Sequence, residues 1–170
     1  MSEGGSCMRL FHGSLTDVTK PCIMPRENGR TTDFGLGFYT TTDYSQAERW
    51  VKIRKGTNQE KKGFISEYAA PDDLLQKNDL KILVFNTADS GWLDFVIENR
   101  KNKNFSHDYD IVYGPVANDR VYTTINLYEG DLINKEQTIA QLKTFILVNQ
   151  ILFHTEKALL YLHYTRSILV

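Results

Sequence analysis

One stretch near the start of the chain combines residue types that can bind a ligand. His12 closes a predicted strand and is followed at once by Gly13 and Ser14. A glycine at this point lets a ligand approach the backbone closely, so that N–H and C=O groups can be used directly. A simple turn at the end of the strand accounts for the same residues, and the local sequence alone favours that turn.

The stretch from Asp33 to Trp50 (DFGLGFYTTTDYSQAERW) places large aromatic residues beside two glycines. Tyr39 and Trp50 can stack on a ring-shaped ligand, although aromatic residues in strands and helices usually belong to the core. Asp43 and Gln46 have the spacing of a capping box and predict that a helix begins here. The letters D-F-G do not indicate a kinase, because almost nothing precedes them and the chain is too short for two lobes.

A third stretch opens a late predicted strand with two amide side chains, Asn149 and Gln150. Taken alone, the two amides are explained by hydrogen bonds to backbone groups. The sequence predicts no metal site, because the histidines are not paired at ligand spacing and there are only two cysteines. These residues are His12, His107, His154, His163, Cys7 and Cys22. The two cysteines indicate free thiols in a reducing compartment rather than a disulfide framework.

The composition is typical of one globular domain. The chain has 170 residues, of which 41% are hydrophobic and 24% charged, and its formal net charge is −1. This charge gives no general attraction to nucleic acid or to an anionic membrane. No apolar run approaches the ~20 residues of a membrane span, and the start lacks the features of a secretory signal. We therefore expect a cytoplasmic protein with a flexible segment at residues 1–8 and a single domain at residues 9–170.

Predicted strands and helices follow one another irregularly, which indicates an α+β fold rather than a doubly wound sheet. Runs of β-branched and aromatic residues predict strands at Met8–His12, Phe38–Thr41, Phe64–Ala70, Leu80–Phe85, Tyr109–Val116, Gln150–His154 and Ser167–Val170. Helical spacing predicts helices after Asp43, around Trp92, from Val121 to a stop at Gly130, at Lys135–Leu147, and from Thr155 through Leu162.

Three motifs, in this order, resemble those of the ADP-ribosyltransferase superfamily, in particular its poly-ADP-ribose-polymerase and diphtheria-toxin branch. They are L-F-H-G-S at residues 10–14, G-L-G-F-Y at 35–39 and N-Q-I-L-F-H at 149–154. Gln150 stands where that branch has its catalytic Glu, so the set is a His-Tyr-Gln variant. The chain is also similar to a bacterial family of uncharacterised-domain proteins placed in this superfamily. The similarity lies in Y-D-I-V-Y-G-P-V-A-N-D at 109–119 and F-H-T-E-K-A-L at 153–159.

The resemblance implies two small β-sheets packed at a steep angle, with a cleft for the substrate NAD+ between them and helices outside. In that cleft it implies that His12 bonds a ribose hydroxyl, that Ser14 bonds the other ribose, and that the backbone of Gly13 holds the carboxamide. Tyr39 and Trp50 would enclose the cationic nicotinamide ring. Stacking and cation–π attraction are worth ~0.5–2 kcal/mol for each aromatic contact.

The catalytic residues implied by the resemblance are His12, Tyr39 and Gln150. A glutamine cannot take a proton or carry a negative charge, so transfer of a single ADP-ribose is implied rather than chain growth. Ala47 stands where the polymerases have a serine that contacts the carboxamide, so one ligand hydrogen bond is lost or supplied elsewhere. Both departures leave open a catalytically degenerate NAD-binding module, and an NAD+ glycohydrolase is a further alternative.

The function implied by the resemblance is mono-ADP-ribosylation of a macromolecular acceptor, with protein as the expected class. A nucleic-acid acceptor stays open, because a local basic patch can override a neutral net charge. The family context suggests a bacterial toxin or effector, either cytoplasmic or delivered into a host or target cell. Such a protein leaves room for an antitoxin or another regulator as a partner.

Overall fold

The computed structural model describes residues 6–23, 32–58 and 60–170, and within them strands and helices mix without regular alternation. The strands are β1 (Cys7–Ser14), β2 (Phe38–Thr41), β3 (Phe64–Pro71), β4 (Ile82–Val84), β5 (Ile111–Pro115), β6 (Asn149–Phe153) and β7 (His163–Leu169). The α-helices are α1 (Tyr44–Lys55), α2 (Ser90–Lys101), α3 (Asp119–Glu129), α4 (Lys135–Leu142) and α5 (Glu156–Leu159). The predicted α+β class is therefore confirmed.

The strands form one mixed sheet of seven strands in the order β4-β5-β6-β2-β1-β3-β7. Only the β4–β5 pair is parallel among the described strands. The joint between β1 and β2 is narrow, because its register contains the single pair Phe11–Thr41, whereas β1 and β3 share eight residue pairs. The prediction of two separate sheets is therefore wrong. The short strand β2 still pairs with β1 at its end, which keeps the sheet continuous.

The first strand begins earlier than the sequence predicts. Cys7 and Met8 pair with Pro71 and Ala70 of β3, so both belong to the sheet rather than to a flexible segment. The long partner strand β3 supplies backbone hydrogen-bonding groups that extend the ladder toward the N-terminus. Residues 1–5 of the predicted flexible segment lie outside the described residues.

Local capping signals place the helix starts correctly. The Asp43 carboxylate accepts a hydrogen bond from the backbone N–H of Gln46, and α1 begins directly after it. The Thr155 hydroxyl accepts from the N–H of Ala158 in the same way, and Gly130 is the C-cap of α3. These three predictions are confirmed.

Two helices end earlier than predicted. α4 stops at Leu142 rather than Leu147, because the next turn is closed by tighter bonds such as Phe145 N–H to Leu142 C=O. α5 stops at Leu159, and β7 then begins at His163. Long-range pairing of β7 with β3 explains the second difference, since that ladder draws residues 163–169 into the sheet.

Alternating residues of the sheet face two separate cores, because successive side chains of a strand point to opposite faces. One core contains Leu10, Phe38, Tyr68, Ile151 and Phe153. The other contains Phe34, Trp92, Val112, Val121 and Leu152, and helices α2, α3 and α4 cover it. A small third cluster packs α1 against β1 and β3 through Phe11, Ala47, Val51 and Ile65. None of the described helices has the length and apolar character needed to cross a membrane.

Candidate functional site

The three strands that carry the sequence motifs lie side by side at the centre of the sheet. β2 pairs with β6 on one side and with β1 on the other. In this register Tyr39 is opposite Leu152, and Thr41 is opposite Gln150. Residues that are far apart in sequence therefore meet within three neighbouring strands.

Two of the three predicted catalytic side chains share a face of the sheet, and the third does not. Tyr39 and Gln150 lie on the face of Leu152, since directly paired and alternate residues point the same way. Tyr39 accordingly packs against the core that contains Leu152. The His12 ring instead stacks on Phe38 of the opposite core, at a centroid distance of 4.3 Å and an interplanar angle of 25°. The structure therefore separates His12 from the other two side chains.

His12 touches Tyr39 through the backbone. Its Nδ1 lies 2.7 Å from the carbonyl oxygen of Tyr39. A carbonyl can only accept a hydrogen bond, so Nδ1 donates and carries the ring proton. Burial is the main cause that lowers the pKa of His12 to about 4, the guanidinium of Arg54 acts in the same direction, and the bond to Tyr39 opposes both, so the ring is neutral at pH 7. Its Nε2 is then the unprotonated nitrogen.

Gln150 is 2% exposed, and its Nε2 has no hydrogen-bond partner within the described chain. Its neighbours across the strands are Thr41 and Gly114. Gly114 is covered by aromatic rings, since a Cβ placed there would lie 3.2 Å from Phe34 Cζ and 3.3 Å from Phe85 Cδ2. A buried amide that keeps two free N–H groups is a donor prepared for a ligand oxygen.

The Tyr39 hydroxyl is committed to the loop that precedes β2. It donates to the carbonyl of Gly35 at 2.7 Å and accepts a 3.4 Å hydrogen bond from the N–H of Phe34. The Thr32 hydroxyl donates to the same carbonyl at 2.7 Å, and Gly35 has a positive φ of 87° that favours glycine. Burial raises the pKa of Tyr39 well above its ordinary value, so the phenol stays neutral.

Gly13 lies directly under helix α1 instead of on an open edge. A Cβ at this position would come within 2.2 Å of the Ala47 carbonyl oxygen, so only glycine allows the helix to approach. The Gly13 carbonyl accepts a 2.6 Å hydrogen bond from Arg54 Nη1. Arg54 is therefore a site residue that the motifs did not reveal. Its helical spacing from Ala47, which puts both on one side of α1, is the signal that points to it.

The remaining two predicted ligand residues are near the site but not arranged as expected. The Ser14 hydroxyl accepts a 3.3 Å hydrogen bond from the N–H of Thr16, as in a local turn. Trp50 is half-buried on α1. In the part of the chain that the structure describes, its ring makes no contact with the Tyr39 ring. The structure does not bring these two aromatic rings together.

Asp33, Tyr122 and Arg100 form an ionisable cluster beside the loop that precedes β2, and the motifs do not indicate it. Asp33 is 7% exposed, and its Oδ1 accepts a 3.3 Å hydrogen bond from the hydroxyl of Tyr122. The guanidinium of Arg100 lies 5.0 Å from the centroid of the Tyr122 ring. Burial raises the pKa of Asp33 to about 6, although Arg100 and the two hydrogen bonds that the carboxylate accepts act in the opposite direction. The D-F-G letters thus contain a buried ionisable residue, Asp33, that hydrogen-bonds Tyr122.

The two signature motifs meet around Asp110. Its carboxylate accepts hydrogen bonds from the Thr155 hydroxyl at 2.7 Å and from the N–H of Lys81 at 2.8 Å. The backbone N–H of His154 donates to the Asp110 carbonyl, and its Nδ1 donates to the carbonyl of Leu36 at 2.6 Å. These bonds fasten the loop before β2 to the end of β6.

No group of three His, Cys, Asp or Glu side chains among residues 6–23, 32–58 and 60–170 could hold a metal ion.

Comparison with known proteins gives one match. No curated protein and no solved structure matches the chain. A family model with the description "Protein of unknown function (DUF3990)" matches residues 8–164, which are 157 of the 170 residues. The matched segment contains β2 and β6 completely and all of β1 except Cys7. The chain therefore belongs to the DUF3990 family of proteins of unknown function.

Proposed function

We propose that the protein is a mono-ADP-ribosyltransferase that moves ADP-ribose from NAD+ to a macromolecular acceptor, most readily a protein, and releases nicotinamide. The observation that carries the proposal is the buried amide of Gln150, whose Nε2 is unpartnered among the described residues. This amide sits at the position of the catalytic Glu in the family that the motifs resemble. An unmade buried hydrogen bond costs about 1–3 kcal/mol, so a ligand that accepts it gains that free energy.

In the proposed reaction the bond between the ribose and the nicotinamide nitrogen breaks, and its electron pair leaves with nicotinamide. The ribose carbon becomes oxocarbenium-like, as in glycoside cleavage, and an acceptor nucleophile forms the new bond. The Gln150 amide holds a ribose hydroxyl next to the reacting carbon. Because glutamine cannot take a proton, the proton that the acceptor loses goes to solvent. The contribution of the site is orientation and not base catalysis.

His12 acts through Tyr39 in this proposal. Its Nδ1–H holds the Tyr39 carbonyl, and it stands on the other face of the sheet from Gln150. His12 is therefore a positioning residue rather than a direct ribose ligand. In the neutral ring present at pH 7, Nδ1 carries the single proton and donates it to the Tyr39 carbonyl.

The carboxamide of nicotinamide has to compete for the backbone of Gly13. Arg54 Nη1 occupies the Gly13 carbonyl at 2.6 Å, and the Ala47 backbone covers its Cα. Binding in the proposed manner therefore includes displacement of the Arg54 guanidinium from the Gly13 carbonyl. This requirement favours weak binding of NAD+ and slow transfer.

The test uses the full chain, labelled NAD+ and a cell lysate, with free nicotinamide and labelled macromolecules followed together. Label in a protease-sensitive fraction supports the proposal, and label removed by nuclease instead identifies a nucleic-acid acceptor. Nicotinamide release without labelling identifies a glycohydrolase. Binding without release identifies an NAD-binding module, and absence of binding refutes the NAD+ assignment altogether.

Variants locate the activity. We expect Gln150→Ala to slow transfer at least ~10-fold while NAD+ binding is retained, because one hydrogen bond to the reacting sugar is lost. Gln76→Ala is the matched control, since it makes the same truncation at an exposed glutamine. Tyr39→Ala should weaken binding. Equal rates for the Gln150 and Gln76 variants would show that the site lies elsewhere.

A further inference from the structure

A cleft of about 140 Å³ opens at the edge of the sheet where β5 ends and β6 begins. Its walls are the first turn of α1, the turn before α3 and the segment before β6. Val116 and Val148 form the apolar side, and the N–H of Val116 donates to the Val148 carbonyl at 2.8 Å. Gln150 follows two residues after Val148 but does not line the cleft.

Two helix N-termini converge on this cleft. α1 has 12 residues and begins after Asp43, and α3 has 11 residues and begins after Asn118. The caps satisfy later N–H groups, but the N–H groups of Tyr44, Ser45 and Asp119 have no partner within the described ranges. Each helix N-terminus carries about half a positive charge, so the pair favours an anion.

A buried amide independently indicates a ligand in the cleft. Gln46 lines it and is 6% exposed. Its backbone N–H is bonded to Asp43, but its side-chain amide forms no hydrogen bond with any residue that the structure describes. The residue is mostly buried while its amide stays accessible from the cleft, so the amide can bond a molecule that enters it.

The charges at the cleft favour an oxyanion. Arg49 lines it and is exposed, without an ion pair in residues 6–23, 32–58 or 60–170. Asp43 also lines it, but one of its carboxylate oxygens is used as the cap of α1. Arg49 opposes Asp43, and Asp119 in the first turn of α3 offsets part of the positive charge of the two helix N-termini. The donors of Arg49, Gln46 and Ser45 match the several acceptor oxygens of a phosphoryl group.

We propose that this cleft binds a phosphoryl group, supplied either by a free phosphate or phosphomonoester or by the diphosphate of a dinucleotide. The proposal rests on the helix ends, Gln46 and Arg49, and it does not require transfer of ADP-ribose. The probe is inorganic phosphate, titrated into the full chain at constant ionic strength while backbone amide resonances are followed by NMR.

We expect saturable shifts of the Tyr44, Ser45 and Asp119 amides with phosphate and much weaker effects with chloride. Arg49→Gln should raise the dissociation constant at least ~10-fold. Lys52→Gln, an exposed charge on the same helix that does not line this cleft, should change it less than ~2-fold. Gln46→Leu keeps the volume and should also weaken binding. Shifts that do not saturate, or equal effects of the Arg49 and Lys52 variants, would overturn the proposal.

A competition arm distinguishes the two sources of the phosphoryl group. If NAD+ displaces phosphate from the cleft, the dinucleotide supplies the group. If both bind at once, the source is a free phosphate or a phosphomonoester. A protein that binds phosphate here but never binds NAD+ would refute the proposed transferase and leave the phosphoryl site intact.

Discussion

Two buried polar side chains of the sheet, Glu67 and Gln150, differ in whether their hydrogen bonds are satisfied. Glu67 on β3 is 4% exposed, and Arg9 contacts its two oxygens at 2.6 and 3.1 Å while Arg166 contacts it at 2.9 Å. Gln150 on β6 is 2% exposed, and its Nε2 is unpaired in the described part of the molecule. Within the described residues, the carboxylate of Glu67 thus has all its hydrogen bonds from arginines, whereas the amide of Gln150 keeps an unpaired donor. We call the side of the sheet that contains β3 the saturated half. We call the side that contains β2 and β6, with the loop before β2, the open half.

The difference separates structural from functional demands. The arginines that saturate Glu67 hold its pKa below the usual range of a carboxyl, with the Arg9 hydrogen bond as the largest cause, so the ionised carboxylate stabilises the fold. The open amide of Gln150 gives the fold no such gain. Its retention makes sense where a ligand completes the hydrogen bonds.

The largest change in stability is expected at Glu67, in the saturated half. Glu67→Lys places a cation between Arg9 and Arg166 in a site that is 4% exposed, so we expect a loss of about 4 kcal/mol in unfolding free energy. Urea denaturation measures it. Glu60→Lys reverses a charge at an exposed position and should stay within about 0.5 kcal/mol of the parent. Similar losses in both variants would remove the structural role of Glu67.

Gln150 should respond in the opposite sense. Gln150→Leu removes an unpaired buried amide and keeps the volume, so the unfolding free energy should stay within about 1 kcal/mol or rise, while transfer slows at least ~10-fold as in Gln150→Ala. Gln150→Glu should cost about 2 kcal/mol at pH 7, because burial disfavours the carboxylate. Its folded-state pKa would be raised, so its stability should recover as pH falls. A Gln150→Leu variant that unfolds readily would contradict the distinction between the two ends.

Two buried titratable groups near β2, Asp33 and His12, give the stability opposite dependences on pH. The folded pKa of Asp33 is raised to about 6, so its contribution to stability is lost as pH rises through that value. The pKa of His12 is lowered to about 4, so the unfolded state binds more protons below pH 6.5 and stability is lost as pH falls. The two slopes oppose each other between pH 4 and 6 in the parent protein.

Asp33→Asn should unmask the His12 slope. From pH 4.5 to 6.5 we expect the stability of this variant to rise by about 2 kcal/mol more than that of the parent, as measured by urea denaturation. Asp79→Asn, at an exposed aspartate, is the control. Parallel curves for the parent and Asp33→Asn would show that Asp33 titrates normally.

The sequence predicts well what depends on neighbouring residues. The caps at Asp43 and Thr155 and the stop at Gly130 follow from side chains within three or four positions of the backbone groups that they satisfy. Strand cores such as Phe38–Thr41 follow from residue type. The end of α4 does not follow from residue type, because hydrogen bonds between residues three apart and residues four apart have similar energies in the last turn.

The arrangement of the site depends on contacts between distant segments, and the motifs predict it only in part. They identify Gln150, but its unpartnered state depends on Gly114 and the rings that cover that glycine. They place His12 beside Tyr39, but the sheet register puts the two side chains on opposite faces. The bond from Arg54 to Gly13 spans 41 residues, and the helical spacing of Arg54 from Ala47 indicates only the side of α1 on which Arg54 lies.

The smallest effect is expected at Tyr39, which lies in the open half although its hydroxyl both donates and accepts a hydrogen bond. Tyr39→Phe removes the donor to Gly35 and the acceptor for Phe34, and we expect a loss of about 1 kcal/mol by urea denaturation. Tyr44→Phe is the control, since its hydroxyl forms no hydrogen bond with the described residues. If Tyr39→Phe loosens the loop before β2, amide hydrogen exchange should rise at Phe34 and Gly35 but not in β6. Faster exchange in both the loop and β6 would mean that the Tyr39 hydroxyl stabilises the central strands as well. Saturated and open would then describe individual side chains and not halves of the sheet.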